Sequence, residues 1–329
     1  MRFGTALPCV HPIGTPPWPD DQVAAGIEAV ARQADALGYE WVTCCDHAVV
    51  PRESARHMGT RWFDATATLG FVAGMTSRVK LLSSVFVLPY RTPFDLAKSM
   101  GTLDSLSNGR VILGVGVGHL EREFRTLRAN YEERGAVTDE TIQAIKALWS
   151  SDSATFHGAH VRFDSMMVAP RPAARPHPPV WVGGNSQRAV RRAVRYAEGW
   201  HPFQVSPAEC RERVAYAQRL APEMGRGDPL DVIAPVGPVE PAAVAPPQGA
   251  QTPPAFEAQG SQRDPYYVKA TTAPLAAASL TTNDEVCQRV QQFVDAGATA
   301  INVGFRYQEL GPLLESMDWF AREVMPRFA

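Results

Sequence analysis

The chain has 329 residues, of which 45% are hydrophobic, enough for a sizeable core and too many for general disorder. Its 32 Lys and Arg against 34 Asp and Glu leave a formal charge of −2. The concentrated positive field that a nucleic-acid backbone requires is missing, so no nucleic-acid partner is expected. No apolar run approaches the ~18–20 residues that span a bilayer, and no leader-like stretch follows Met1. Cys9, Cys44, Cys45, Cys210 and Cys287 show no C-x-x-C spacing and read as reduced, buried thiols. A cytoplasmic protein without membrane partners is expected.

In chain order, strands are predicted over 2–7, 40–45, 79–86, 111–115, 179–183, 199–202, 231–236 and 299–305. Most are unbroken Val, Ile, Leu and Trp runs, the pattern of parallel strands covered on both faces by helices. Between the first two, Val23, Ile27, Val30, Ala31 and Ala34 mark one face of a helix that ends at Gly38. Thr92-Pro93 opens another helix, stopped by Asn108-Gly109, and Thr282 to Glu285 reads as a third helix start. Eight such units favour a single α/β chain closed as a (β/α)8 TIM barrel over residues 1–329, rather than a doubly wound sheet. Two stretches break the rhythm. Residues 151–178 read as a hairpin insertion, and the Pro/Ala-rich stretch 237–279 as a lid or flexible loop.

Polar and glycine residues gather just past the strand ends, where barrels of this kind carry their active sites. Gly183-Gly184-Asn185-Ser186, directly before a helix, is either an anion-binding loop or a tight turn with a capping serine. The run 113–119, LGVGVGH, misses the G-x-G-x-x-G spacing by one place, so a dinucleotide site of that type is rejected. Asp46-His47 and His119 stand at strand ends as candidate acid/base groups, or as structural histidines tied to the backbone. The histidines come singly there, without H-x-H or H-E-x-x-H, and His157 with His160 makes a poor metal pair, so no metal is expected. Arg188, Arg191, Arg192 and Arg195 fall on one helix face, as a solvated stripe or as an attractor for an anionic cofactor tail.

These segments together carry a family resemblance. WVTCCDH (41–47), SVFVLPYRTP (84–93), LDSLSNGR (103–110), LGVGVG (113–118), PVWVGGNS (179–186) and EGWHP (198–202) follow in order. RGAVTDE (134–140), Phe156-His157-Gly158 and Arg171-Pro172 add to them. The chain resembles the bacterial luciferase-like superfamily, and within it the coenzyme F420-dependent oxidoreductases, over roughly residues 1–224 and 280–305. The resemblance implies a deazaflavin at the strand ends, with FMN as the alternative, and a non-proline cis peptide at Ser84-Val85. Gly116, Val117 and Gly118 would line the cofactor, Gly183, Gly184, Asn185 and Ser186 would hold its phosphate, and Asp46 would stand by the reactive ring. Some relatives place a glutamate where this chain has His119, so the proton donor falls to His47 or His119, with Glu121 behind them. A small-molecule substrate and a homodimer are implied, with a flavin reductase as partner if FMN is used.

Overall fold

In a computed structural model, the residues described are 1–9, 20–59, 61–244 and 278–329. The first part of the chain forms β1 (Arg2–Ala6), α1 (Asp20–Leu37), β2 (Trp41–Cys44), α2 (Arg52–Met58) and α3 (Ala65–Ala73). There follow β3 (Lys80–Ser83), β4 (Phe86–Val87), α4 (Pro93–Leu106), β5 (Val111–Gly116), α5 (Glu121–Thr126) and α6 (Arg134–Ser150). A hairpin, β6 (Ala154–His157) and β7 (Arg162–Met166), leads to β8 (Val180–Gly183), α7 (Gln187–Tyr196) and β9 (Gly199–His201). The chain finishes with α8 (Pro207–Glu223), β10 (Asp231–Val239), α9 (Asn283–Asp295), β11 (Ala300–Phe305) and α10 (Leu310–Glu323).

All eight predicted strand regions form, and they close. The order β3-β2-β1-β11-β10-β9-β8-β5-β4 is sealed by pairing of β3 with β5, Leu81 facing Val111 and Leu82 facing Ile112. Every pairing in this sheet is parallel. The fold is therefore a TIM barrel in which β3 and β4 are the lower and upper halves of one stave. The expected single strand over 79–86 is interrupted at Ser84-Val85, and that peptide bond is cis, as the resemblance implied.

The barrel interior is filled by Trp41, Leu82, Ile112, Trp181, Ile233 and Ala300, all at most 2% exposed. The two indoles meet edge to face at 5.3 Å. Outside the barrel, α1 turns Val23, Ile27, Val30, Ala31 and Ala34 into the core, as their spacing predicted. Burying each of the larger ones contributes about 1.5–3 kcal/mol. Thr92 caps α4 through the Asp95 N–H, and Thr282 with Glu285 forms a reciprocal capping box on α9.

The stretch 151–178 contains the expected antiparallel hairpin. Its turn is clamped by Glu140 on α6, whose carboxylate accepts the N–H groups of Ala159, His160 and Val161 at 2.9, 2.7 and 2.9 Å. Of the stretch 237–279, residues 245–277 lie outside the described residues. Its first residues extend β10 to Val239, three places beyond the predicted end, and the Glu240 N–H meets the Leu280 carbonyl at 3.0 Å. The insertion thus leaves and rejoins the barrel at the C-terminal end of β10. Among the described residues, no helix is long and apolar enough to cross a membrane.

Candidate active site

Parallel strands of one barrel all end on the same rim, so residues far apart in sequence converge there. Asp46 and His47 follow β2, and Leu88 to Tyr90 follow β4 in a short 3-10 turn. His119 follows β5, and His201 is the last residue of β9.

A polar cluster at this rim is built on Glu123. Its side chain is fully buried, yet it lies 3.0 Å from His47 Nδ1 and accepts from Tyr90 Oη at 3.0 Å. The backbone N–H groups of Ala48 and Val49 meet its other oxygen at 3.0 and 3.3 Å. Burial pushes this carboxyl up, but the His47, Val49 and Tyr90 hydrogen bonds outweigh it and hold it below the usual glutamate value. Tyr90 is pushed far up, first by burial and then by Glu123, and stays a donor. The His47 ring lies against Trp62, centroids 4.5 Å apart, and 5.9 Å from His119. Among the described residues, the buried indole N–H of Trp62 has no hydrogen-bond partner.

Glu121, expected behind the histidines, is not in this cluster. It is exposed on α5 and pairs with Arg125 at 3.4 Å. Helical residues two apart point ~200° away from each other, so Glu121 faces out where Glu123 faces His47. Position 119 stands directly after the glycines, whereas the carboxylate that reaches His47 sits four residues later.

Asp46 is buried and committed to Arg91 at 2.6 Å, with the Val87 N–H at 3.4 Å. Arg91 also lies 3.6 Å from Asp64 and stacks 4.9 Å above the Phe86 ring. This network ties the end of β2 to β4.

Around the break between β3 and β4, side chains replace the strand ladder. Ser83 Oγ donates to the Gly114 carbonyl and accepts from the Gly114 N–H, both at 2.9 Å. Ser84 Oγ lies 3.0 Å from His201 Nε2. Burial pushes His201 down to about 4, only partly offset by the Ile233 backbone. Val85 projects between the ends of β5 and β8. A Cβ at Gly116 would lie 2.7 Å from Val85 Cγ2, and one at Gly183 would lie 3.0 Å from Val85 Cγ1. A Cβ at Gly118 would lie 2.6 Å from Val87 Cγ1. These glycines seat the broken strand; Val117 between them is half-buried.

At α7, Gly184 takes a φ of 109°, which favours glycine, and Ser186 caps the helix through the Ala189 N–H at 3.2 Å. The Asn185 side chain bridges both backbone groups of Phe203, and Trp200 Nε1 donates to the Gly184 carbonyl at 2.7 Å. The turn is held from behind, leaving the first-turn N–H groups of Gln187 and Arg188 without helical acceptors beside exposed Ser186. An anionic group fits there. The arginine stripe is not uniform, because Arg192 is buried and paired with Asp139 on α6, while Arg188, Arg191 and Arg195 are exposed.

Residues 1–300 match the luciferase-like monooxygenase family. The chain belongs to that family. Among its relatives, an uncharacterized protein of Mycobacterium tuberculosis is 32% identical over 218 residues, 62% of this chain and 74% of its own length. The FMNH(2)-dependent dimethylsulfone monooxygenase of Pseudomonas putida is 32% identical over 129 residues, 38% of this chain and 35% of its own. Monooxygenase RslO1 from Streptomyces bottropensis superposes with a TM-score of 0.78 at 21% identity, covering 100% of both chains. An F420-dependent secondary alcohol dehydrogenase superposes at 0.74 with 18% identity, covering 98% of each. At such identities the superpositions show a shared fold. The chain is a luciferase-like enzyme, an oxidoreductase or monooxygenase, and the proteins it is similar to include some named for F420 and others named for FMN.

His201, Tyr90, Trp62 and Glu123 were missed as site residues by the sequence reading. A histidine ending an apolar strand is a signal that could have drawn attention to His201. Glu123 has no local signal beyond the apolar Phe124 beside it.

Proposed function

We propose that the chain is a coenzyme F420-dependent oxidoreductase that transfers a hydride between the deazaflavin and a small organic substrate. The observation that carries this reading is His47 held at the barrel rim by a buried, ionised Glu123. A substrate carbon that gains or loses a hydride needs a proton moved at its neighbouring atom, and a carboxylate-held imidazole does that. When bound, the deazaflavin supplies or accepts the hydride at its C5 carbon. The first turn of α7, with Gly184, Ser186 and Arg188, would hold the cofactor phosphate, and Ser84 and Val85 would face its ring system. Asp46 serves by fixing β4 through Arg91, and the buried indole N–H of Trp62, next to His47 and without a partner among the described residues, would donate to a ligand.

The relative from Pseudomonas putida favours a second reading, an FMN-dependent monooxygenase fed by a flavin reductase. Parallel titrations of the purified protein with coenzyme F420 and with FMN, followed by quenching of each cofactor's fluorescence, separate the two. Saturable binding of F420, with FMN much weaker, is the expected result. Preference for FMN would overturn the proposal in favour of the monooxygenase.

A further inference from the structure

We propose that Glu123 is a positioning residue that locks His47 in the Nδ1–H tautomer, making Nε2 the atom through which His47 moves its proton. This rests on the proton role given to His47 above.

The argument is a count of lone pairs. A carboxylate offers about four acceptor positions, two on each oxygen. On Glu123, Oε1 takes the N–H groups of Ala48 and Val49, at 3.0 and 3.3 Å. Oε2 takes the Tyr90 hydroxyl and faces His47 Nδ1, both at 3.0 Å. Three of these four partners are donors, and the two backbone groups can be nothing else. With the carboxyl ionised, an unprotonated Nδ1 would set a lone pair against a lone pair, so Nδ1 carries hydrogen. The neutral ring then has its only free lone pair on Nε2. Trp62, packed at 4.5 Å and 72° to the ring, opposes the ring flip that would exchange the two nitrogens.

Glu123 thus acts through His47. In substrate oxidation Nε2 accepts the proton from the substrate heteroatom whose carbon gives up the hydride. In reduction the doubly protonated ring returns it from the same nitrogen.

The two backbone donors also dictate what Glu123→Gln does. Ala48 and Val49 still demand an acceptor, so the introduced amide keeps its oxygen on their side and turns its NH2 toward His47. An NH2 donor requires a lone pair on Nδ1, and the neutral tautomer reverses to Nε2–H.

The test is the 15N chemical-shift pattern of His47 in the full-length, histidine-labelled protein, assigned by its loss in His47→Asn. At a pH where the ring is neutral, the expected wild-type pattern is a protonated Nδ1 and an unprotonated Nε2. Reversal in Glu123→Gln and retention in Tyr90→Phe are the accompanying results. A wild-type Nε2–H tautomer, or an unchanged tautomer in Glu123→Gln, overturns the proposal. If Glu123→Gln does not fold, the wild-type spectrum still decides. The readout needs no cofactor, so it stands apart from failure of the F420 reading. With the cofactor that binds, kcat of Glu123→Gln should fall about 100-fold while KM changes by less than about twofold.

Discussion

Two histidines at this rim illustrate how surroundings set a side chain's chemistry. His47 meets an ionised carboxylate, whereas His201 meets Ser84 and otherwise an apolar barrel. Burial holds His201 at about 4, below the ordinary imidazole value of 6.5. Between those values the unfolded chain binds a proton that the folded chain refuses, so stability falls as pH drops from 6.5 toward 4 and levels off below. The loss is on the order of 3 kcal/mol at ~1.4 kcal/mol per unit. His201→Gln removes this term. Denaturant unfolding at pH 7 and at pH 4.5 should show a smaller stability difference in the variant than in the wild type. An equal difference would mean that His201 accepts its proton without cost. At this scale the sequence exposed His47, because a polar residue after an apolar strand stands out. Glu123 stayed hidden because its partner lies 76 positions away, and only packing of α5 against the β2 loop joins them.

The element that shapes the site is the broken third stave. An apolar run from 79 to 86 signals a strand, but hydrophobicity carries no mark of a break within it. The neighbouring glycines are its counterpart. Gly114 sits where a Cβ would be 1.8 Å from the Ser83 carbonyl oxygen, and Gly116 sits against Val85. Gly116 is expected to line a cofactor as well, and both glycines make room for the adjoining stave. Gly116→Ala should therefore destabilise by about 1–3 kcal/mol through overpacking. Its thermal unfolding midpoint should drop, and trimming the opposed side chain in Gly116→Ala/Val85→Ala should recover part of the loss. A midpoint unchanged by Gly116→Ala would show that the staves yield freely.

Across the whole molecule, helices of the outer ring are tied by ion pairs that no local pattern reveals. Arg192 reads as one of four arginines in a surface stripe, yet its side chain is 9% exposed and pairs with Asp139. It also donates to the Gly135 carbonyl at 3.1 Å, so it pins α7 to the start of α6. Asp139→Asn leaves a buried guanidinium without its counter-charge. A cost of about 1–3 kcal/mol is expected, less than for a fully buried pair because Asp139 is partly solvated. A lowered unfolding midpoint in Asp139→Asn checks this, and no change would assign Arg192 to packing alone.

The sequence by itself determined the barrel, its eight strand regions, the caps of α4 and α9 and the rim positions of His47 and His119. Those features follow from local causes: hydrophobic period, capping residues, and glycines that stop helices. The tertiary structure alone decided which polar groups meet. Glu123 rather than Glu121 reaches His47, Asp46 is spent on Arg91, and Val85 fills the space left by Gly116 and Gly183. Such pairings depend on how the staves and helices stand around the barrel, where a few ångströms and one helical turn separate a buried partner from an exposed charge.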